Sequence, residues 1–134
     1  MAQEGEIMIN EAWIDEENQI LRQKLIGDSI LEEAPEYFSV VKELLDKLPA
    51  RYSMVDMSEA DARKILNRKS RDYLVTYSSA VGYEKVAYIN IAPSLRMVAK
   101  VLRKIAGRKH EDYKNEIGFF KNEEEALKWL KGEK

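Results

Sequence analysis

The stretch Tyr52-Ser-Met-Val-Asp-Met57 is a mostly apolar run with the length of a buried β-strand, and helical segments alternate with similar runs after it. The second run, Lys85-Val-Ala-Tyr-Ile-Asn-Ile91, precedes Pro93-Ser94 and an apolar helical pattern. The third, Ile117-Gly-Phe-Phe120, leads into the closing segment Asn122 to Leu130. Strands that alternate with helices predict a largely parallel sheet covered by helices.

Upstream of this alternation, the chain predicts an antiparallel hairpin. Residues Glu6 to Trp13 alternate weakly, Asp15 to Asn18 are typical of a turn, and Ile20 to Ile26 return as a strand. We therefore expect an α/β fold with a mixed sheet of about five strands: an N-terminal antiparallel hairpin, then parallel strands, with helices packed against the sheet. A single domain should span residues 1–134.

Two helix starts are predicted from capping patterns. Ser29 with Glu32 three residues later has the spacing of a capping box. Ser58 with Asp61 has the same spacing, so a helix is expected to begin directly after the Tyr52 strand.

Composition narrows the function classes. The 134 residues carry a net charge of −2, so no global positive field attracts nucleic acid. No cysteine is present, which excludes disulfides and thiolate chemistry. No apolar run approaches the roughly 18 residues needed to cross a bilayer, and the first residues lack the features of a signal peptide. The expected location is the cytoplasm, without integral membrane insertion.

The order of elements and several core residues resemble the SpoIIAA-like, or STAS-like, domain family. Val55-Asp56-Met57 resembles the end of that fold's central strand, and Lys85 to Ile89 with Pro93-Ser94 resembles its next strand–helix unit. Phe119 to Leu130 resembles the closing unit of the SpoIIAA-like branch. The likeness covers roughly Glu6 to Leu130. It implies a STAS-like domain with a regulatory, partner-binding role, and its motifs specify fold better than function.

The chain departs from that family at the regulatory serine. Anti-sigma-factor antagonists of the family carry Asp-Ser-Ser-Gly or Asp-Ser-Thr-Gly where this chain has Asp56-Met-Ser-Glu-Ala-Asp-Ala-Arg63. Ser58 is the phosphorylation candidate, because a phosphate would be favoured at a helix N-terminus. The alternative is an N-cap, in which its hydroxyl bonds the backbone of Asp61.

Four residues form the predicted binding site at the carboxyl ends of the parallel strands, where open α/β sheets bind ligands: Asp56, Ser58, Ser94 and Arg96. Asp56 is a candidate functional carboxylate, and its alternative role is to bond loop amides. Ser94 and Arg96 begin a helix and are the candidates for holding an anion.

A basic helical face lies beside this rim. Arg96, Lys100, Arg103 and Lys104 fall on one side of the predicted helix, where they either meet an acidic partner, anionic lipid or nucleic acid, or form a solvated surface. His110 is the only histidine and stands in a polar segment without a metal-ligand set. The sequence therefore predicts no catalytic set, no metal and no cofactor.

Three functions from different classes remain open. The leading one is a non-enzymatic interaction or regulatory module that binds a protein partner or a small anionic ligand at the rim. The second is a small-ligand or lipid carrier with an apolar cavity. The third is a hydrolase or transferase that uses Asp56, and it lacks a nucleophile–base pair. The sequence leaves homo-oligomerisation open.

Overall fold

The sheet contains five strands that follow one another across it in chain order: β1 (Glu11–Asp15), β2 (Ile20–Gly27), β3 (Tyr52–Ala60), β4 (Lys85–Ile89) and β5 (Glu116–Phe120). They belong to a computed structural model that describes residues 8–27, 29–61, 68–78, 80–109 and 115–132. β1 and β2 are antiparallel, and each later pair is parallel. The predicted mixed sheet with an N-terminal hairpin is confirmed.

Helices cover both faces of the sheet unequally. α1 (Ile30–Leu45), α2 (Arg68–Ser78) and α3 (Pro93–Lys109) connect the parallel strands and share one apolar core on the same face. Of the described helices, only α4 (Glu123–Leu130) packs on the opposite face, over the side chains of β3 and β4. None of the helices within the described ranges combines the length and the apolar character that a membrane span requires.

The apolar pattern of the sequence predicts a largely buried core of seven residues, and the structure agrees at four of them: the predicted set is Val55, Val86, Ile89, Leu102, Phe119, Ala126 and Trp129. Val55, Val86 and Ile89 on the inner strands are buried, as is Ala126 on α4. Phe119 and Trp129 were also expected to be largely buried, but both are only half-buried. The reason is the strand order, which places β5 at an edge of the sheet and leaves nothing to cover its outer side among the described elements. The side chain of Leu102, another predicted core residue, lies outside the described part.

The predicted helix start at Ser58 is wrong. β3 continues through Ser58 to Ala60, because the long strand β2 offers pairing partners that far along: Ile26 lies opposite Glu59 after a bulge in the register. The first helical residue described after β3 is Arg68. Ser58 is therefore an exposed strand residue and not an N-cap.

The predicted capping box at Ser29 is also wrong. The Ser29 hydroxyl makes no capping bond and instead donates to the Ile26 carbonyl at 2.7 Å. It also accepts a hydrogen bond from the amide of Asn10, a buried residue that bonds the Glu33 carboxylate at 2.8 Å. Tertiary contacts with the segment before β1 thus take the place of local capping at this helix start.

Candidate anion-binding surface

Asp56 lies in the middle of β3 and not at its carboxyl end, at the last position of β3 that pairs with β4, and its carboxylate bonds neighbouring groups. It accepts hydrogen bonds from the Ser58 backbone N–H at 2.9 Å and from the Asn90 side-chain amide at 3.3 Å. Partial burial would raise the pKa of Asp56, but the hydrogen bonds from Ser58 and Asn90 outweigh it and hold the pKa below its ordinary value. This geometry matches the alternative role stated for Asp56, a carboxylate that bonds loop amides.

Because its pKa is lowered, Asp56 should make the free energy of unfolding depend on pH in the acid range. A carboxyl group whose folded pKa is lowered stabilises the fold above its unfolded pKa, about 4, and this stabilisation is lost as the pH falls through the folded pKa. We expect the Asp56→Asn variant to lose less free energy of unfolding than the wild type between about pH 5 and about pH 2. Urea denaturation across this range measures the difference. Parallel pH profiles for the two proteins would contradict the assignment.

The structure brings together only part of the predicted rim site. Asp56 and Ser58 are joined by the hydrogen bond described above. Ser94 is exposed in the first turn of α3, after Pro93 at the first helical position. The guanidinium of Arg96 lies 5.7 Å from the ring centre of Phe119 on β5, so it is directed to the sheet edge.

The topology also removes the usual reason for a ligand crevice at the rim. Such crevices form at a switch point, where neighbouring connections pass to opposite faces of a parallel sheet. Here α1, α2 and α3 share one face, and the strand order contains no reversal. The rim residues thus have no crevice of this kind between them.

A row of cations follows β5 along α3. The Lys100 ammonium lies 5.7 Å from the ring centre of Phe119, as Arg96 does, and both contacts are of the cation–π type. Further along, the Arg103 guanidinium donates to the Asn115 carbonyl at 2.9 Å, directly before β5 begins. Because α3 runs back along β5, its cations flank the strand from end to end.

Three of the α3 cations, without Arg96, line a solvent-open groove of about 640 Å³ at the outer edge of β5. Its walls come from α3, from β5 and from α4, and they consist of Lys100, Arg103, Lys104, Glu116, Ile117 and Trp129. Within this lining, three cations stand against one carboxylate. The groove is therefore locally positive on a chain whose net charge is −2.

Ion pairing among the described residues does not neutralise the row. Among the described residues, the ion pairs join other partners, such as Arg22 with Asp15 and Lys24 with Glu59. None of them includes Arg96, Lys100, Arg103 or Lys104. Four cations within one helical face repel one another, and an anion bound beside them would relieve that repulsion.

The helical spacing of the four α3 cations predicts the basic face from the sequence, but no sequence pattern predicts the groove. Trp129 and Glu116 complete it from outside α3, and their positions depend on β5 being an edge strand. The described residues hold no cluster of histidine, aspartate and glutamate side chains that could bind a metal ion, and His110 lies outside them. No protein-family model matches the chain, and a search of curated proteins likewise finds no match.

Proposed function

We propose that this chain is a non-enzymatic interaction module of STAS-like type that binds an anionic partner in the groove between α3 and β5. The observation that carries the proposal is the row of α3 cations that no described carboxylate pairs with. Convergent, solvent-accessible cations beside aromatic rings are suited to a carboxylate- or phosphate-bearing partner.

The fold supports the class of module. The five-strand mixed sheet has a hairpin followed by strand–helix units, which is the element order on which the resemblance to the SpoIIAA-like family rests. A regulatory role would follow from that resemblance. Arg96 belongs to both the predicted rim site and the α3 row but does not line the groove, so the proposal moves the binding site from the rim to the basic face of α3.

The contacts favour this function over the two alternatives. A carboxylate with a lowered pKa, such as Asp56, is a weak base at neutral pH and a poor proton donor, which disfavours a hydrolase or transferase centred on it. The groove is open and charged, whereas an apolar cargo is best held in an enclosed apolar cavity.

A short polyglutamate peptide is the direct probe of the proposal. The wild-type chain should bind it at low ionic strength and should not bind polylysine of the same length. Affinity should fall several-fold when the ionic strength rises to about 0.15 M, where screening sets in beyond about 8 Å. Titration calorimetry measures all three. Absence of polyglutamate binding, or equal binding of both peptides, would refute an anion-binding module.

A further inference from the structure

We infer that the anionic partner is an acidic protein segment in extended conformation that adds to β5 as a sixth strand. This inference rests on the proposed function and specifies the partner's chemistry and its mode of binding. Addition of a peptide strand to a sheet edge gives affinity through main-chain hydrogen bonds and specificity through alternate side chains.

The outer side of β5 has backbone groups available for such pairing. The Glu116 N–H donates to the Glu84 carbonyl at 3.0 Å, which fixes the direction of the ladder toward β4. Because successive residues of a parallel strand direct their N–H and C=O to opposite sides, Gly118 also pairs with β4, while Ile117 and Phe119 direct theirs outward. No described strand lies on that outer side.

The groove has the position that an added strand would occupy. Ile117 contributes to its wall from the sheet face that α1, α2 and α3 cover. Trp129 contributes from the opposite face, where it packs with Phe120. One groove that is lined from both faces must run past the edge of the sheet, so an occupant would lie beside β5 and contact both faces.

The spacing of the cations fits a strand with acidic residues at alternate positions. Arg96, Lys100 and Lys104 are four residues apart on α3, which separates them by about 6 Å along the helix axis. Side chains on one face of a strand recur about every 7 Å. Alternate acidic side chains would therefore meet successive cations, and the residues between them would point toward Phe120 and Trp129.

The opposite edge of the sheet does not share these features. β1 carries Glu11 and Asp15, and the Glu11 carbonyl already accepts a hydrogen bond from the Tyr37 hydroxyl at 3.2 Å. An acidic strand would meet carboxylates there. Charge complementarity thus assigns the partner to the β5 edge, and backbone pairing favours a peptide over a nucleic acid, which has no amide ladder.

The test uses an acetylated, amidated peptide of alternating glutamate and valine and two N-methylated isomers of it. One isomer is methylated on every glutamate amide, the other on every valine amide, so charge and composition are identical. In a strand, the amides of one set face β5 and those of the other face solvent. We expect one isomer to bind like the parent and the other to bind about tenfold more weakly, through the loss of its hydrogen bonds.

The weaker isomer also gives the strand direction. Weaker binding of the glutamate-methylated isomer indicates antiparallel addition. In that arrangement, the peptide residues opposite Ile117 and Phe119 direct their amides toward β5 and their side chains toward α3, so these residues are the glutamates. Weaker binding of the valine-methylated isomer indicates parallel addition. In either case, amide hydrogen exchange should slow at Ile117 and Phe119 when the parent peptide binds, and should change little at Gly118, which is already paired with β4.

Failure of this inference is distinguishable from failure of the proposed function. If the parent peptide and polyglutamate bind but the two isomers have equal affinity, or if Ile117 and Phe119 gain no protection, strand addition is wrong and the anion-binding module stands. If a single-stranded oligonucleotide of equal charge binds more tightly than the parent peptide, the partner is a nucleic acid and not a peptide. If no acidic peptide binds, the proposed function itself fails.

Discussion

Replacing Tyr37 with alanine should lower the free energy of unfolding by about 3–5 kcal/mol, as expected for a fully buried aromatic side chain. Tyr37 lies on α1 and has no exposed surface. Its hydroxyl donates to the Gln23 side-chain carbonyl at 2.7 Å, and the Gln23 amide in turn donates to Ser53 and Tyr83. The substitution removes the ring and breaks this buried network. Urea denaturation followed by circular dichroism measures the loss.

The Tyr37→Phe variant separates the hydroxyl from the ring. It should cost about 1–3 kcal/mol, because the Gln23 carbonyl loses its donor while the ring packing is kept. Burial raises the pKa of Tyr37 well above its usual range. The wild type should therefore lose stability as the pH rises above about 10, and the phenylalanine variant should lose less. A loss below about 1 kcal/mol for Tyr37→Ala would show that the network is peripheral.

The second large effect is expected where α4 docks. Leu130 is buried against the same cluster as Met54 and Ile89, so Leu130→Ala should cost about 2–5 kcal/mol. Trp129 precedes it but is only half-buried, with the Lys85 ammonium 5.2 Å from its ring centre. Trp129→Ala should cost less, about 1–2 kcal/mol.

These two α4 variants are matched controls for each other. Both truncate a large apolar side chain at adjacent positions of the same helix, so they differ chiefly in burial. The same urea denaturation compares them. A larger loss for Trp129→Ala than for Leu130→Ala would mean that α4 docks through the other side of the helix.

Local patterns predicted the elements of the fold because their physical causes are local. The apolar runs at Tyr52 and Lys85 reflect burial on both sheet faces, and Pro93 marks the start of α3 at its first position. The capping predictions at Ser58 and Ser29 are wrong because the conformation at each serine depends on a partner distant in sequence. Pairing with β2 extends the strand past Ser58, and Asn10 bonds the Ser29 hydroxyl that a cap would use.

The candidate site was predictable only in part for the same reason. The spacing of Arg96, Lys100 and Lys104 reveals one helical face in the sequence. The groove depends on β5 lying at the sheet edge and on Trp129 reaching it from α4, which are consequences of strand order. Ligand crevices at the carboxyl ends of strands form where a sheet has a switch point, and the five described strands have none.

The affinity of charge-reversed variants for polyglutamate tests the central claim most directly. The double variant Lys100→Glu/Lys104→Glu reverses two charges in the groove. The control Lys47→Glu/Lys69→Glu makes the same charge change at two exposed lysines outside it, one after α1 and one on α2. Asp56→Asn changes the rim. We expect the groove variant to bind at least about tenfold more weakly than the wild type, and the control and Asp56→Asn variants to bind within about threefold of it. Equal losses in the groove and control variants, or a loss only at Asp56, would contradict the account.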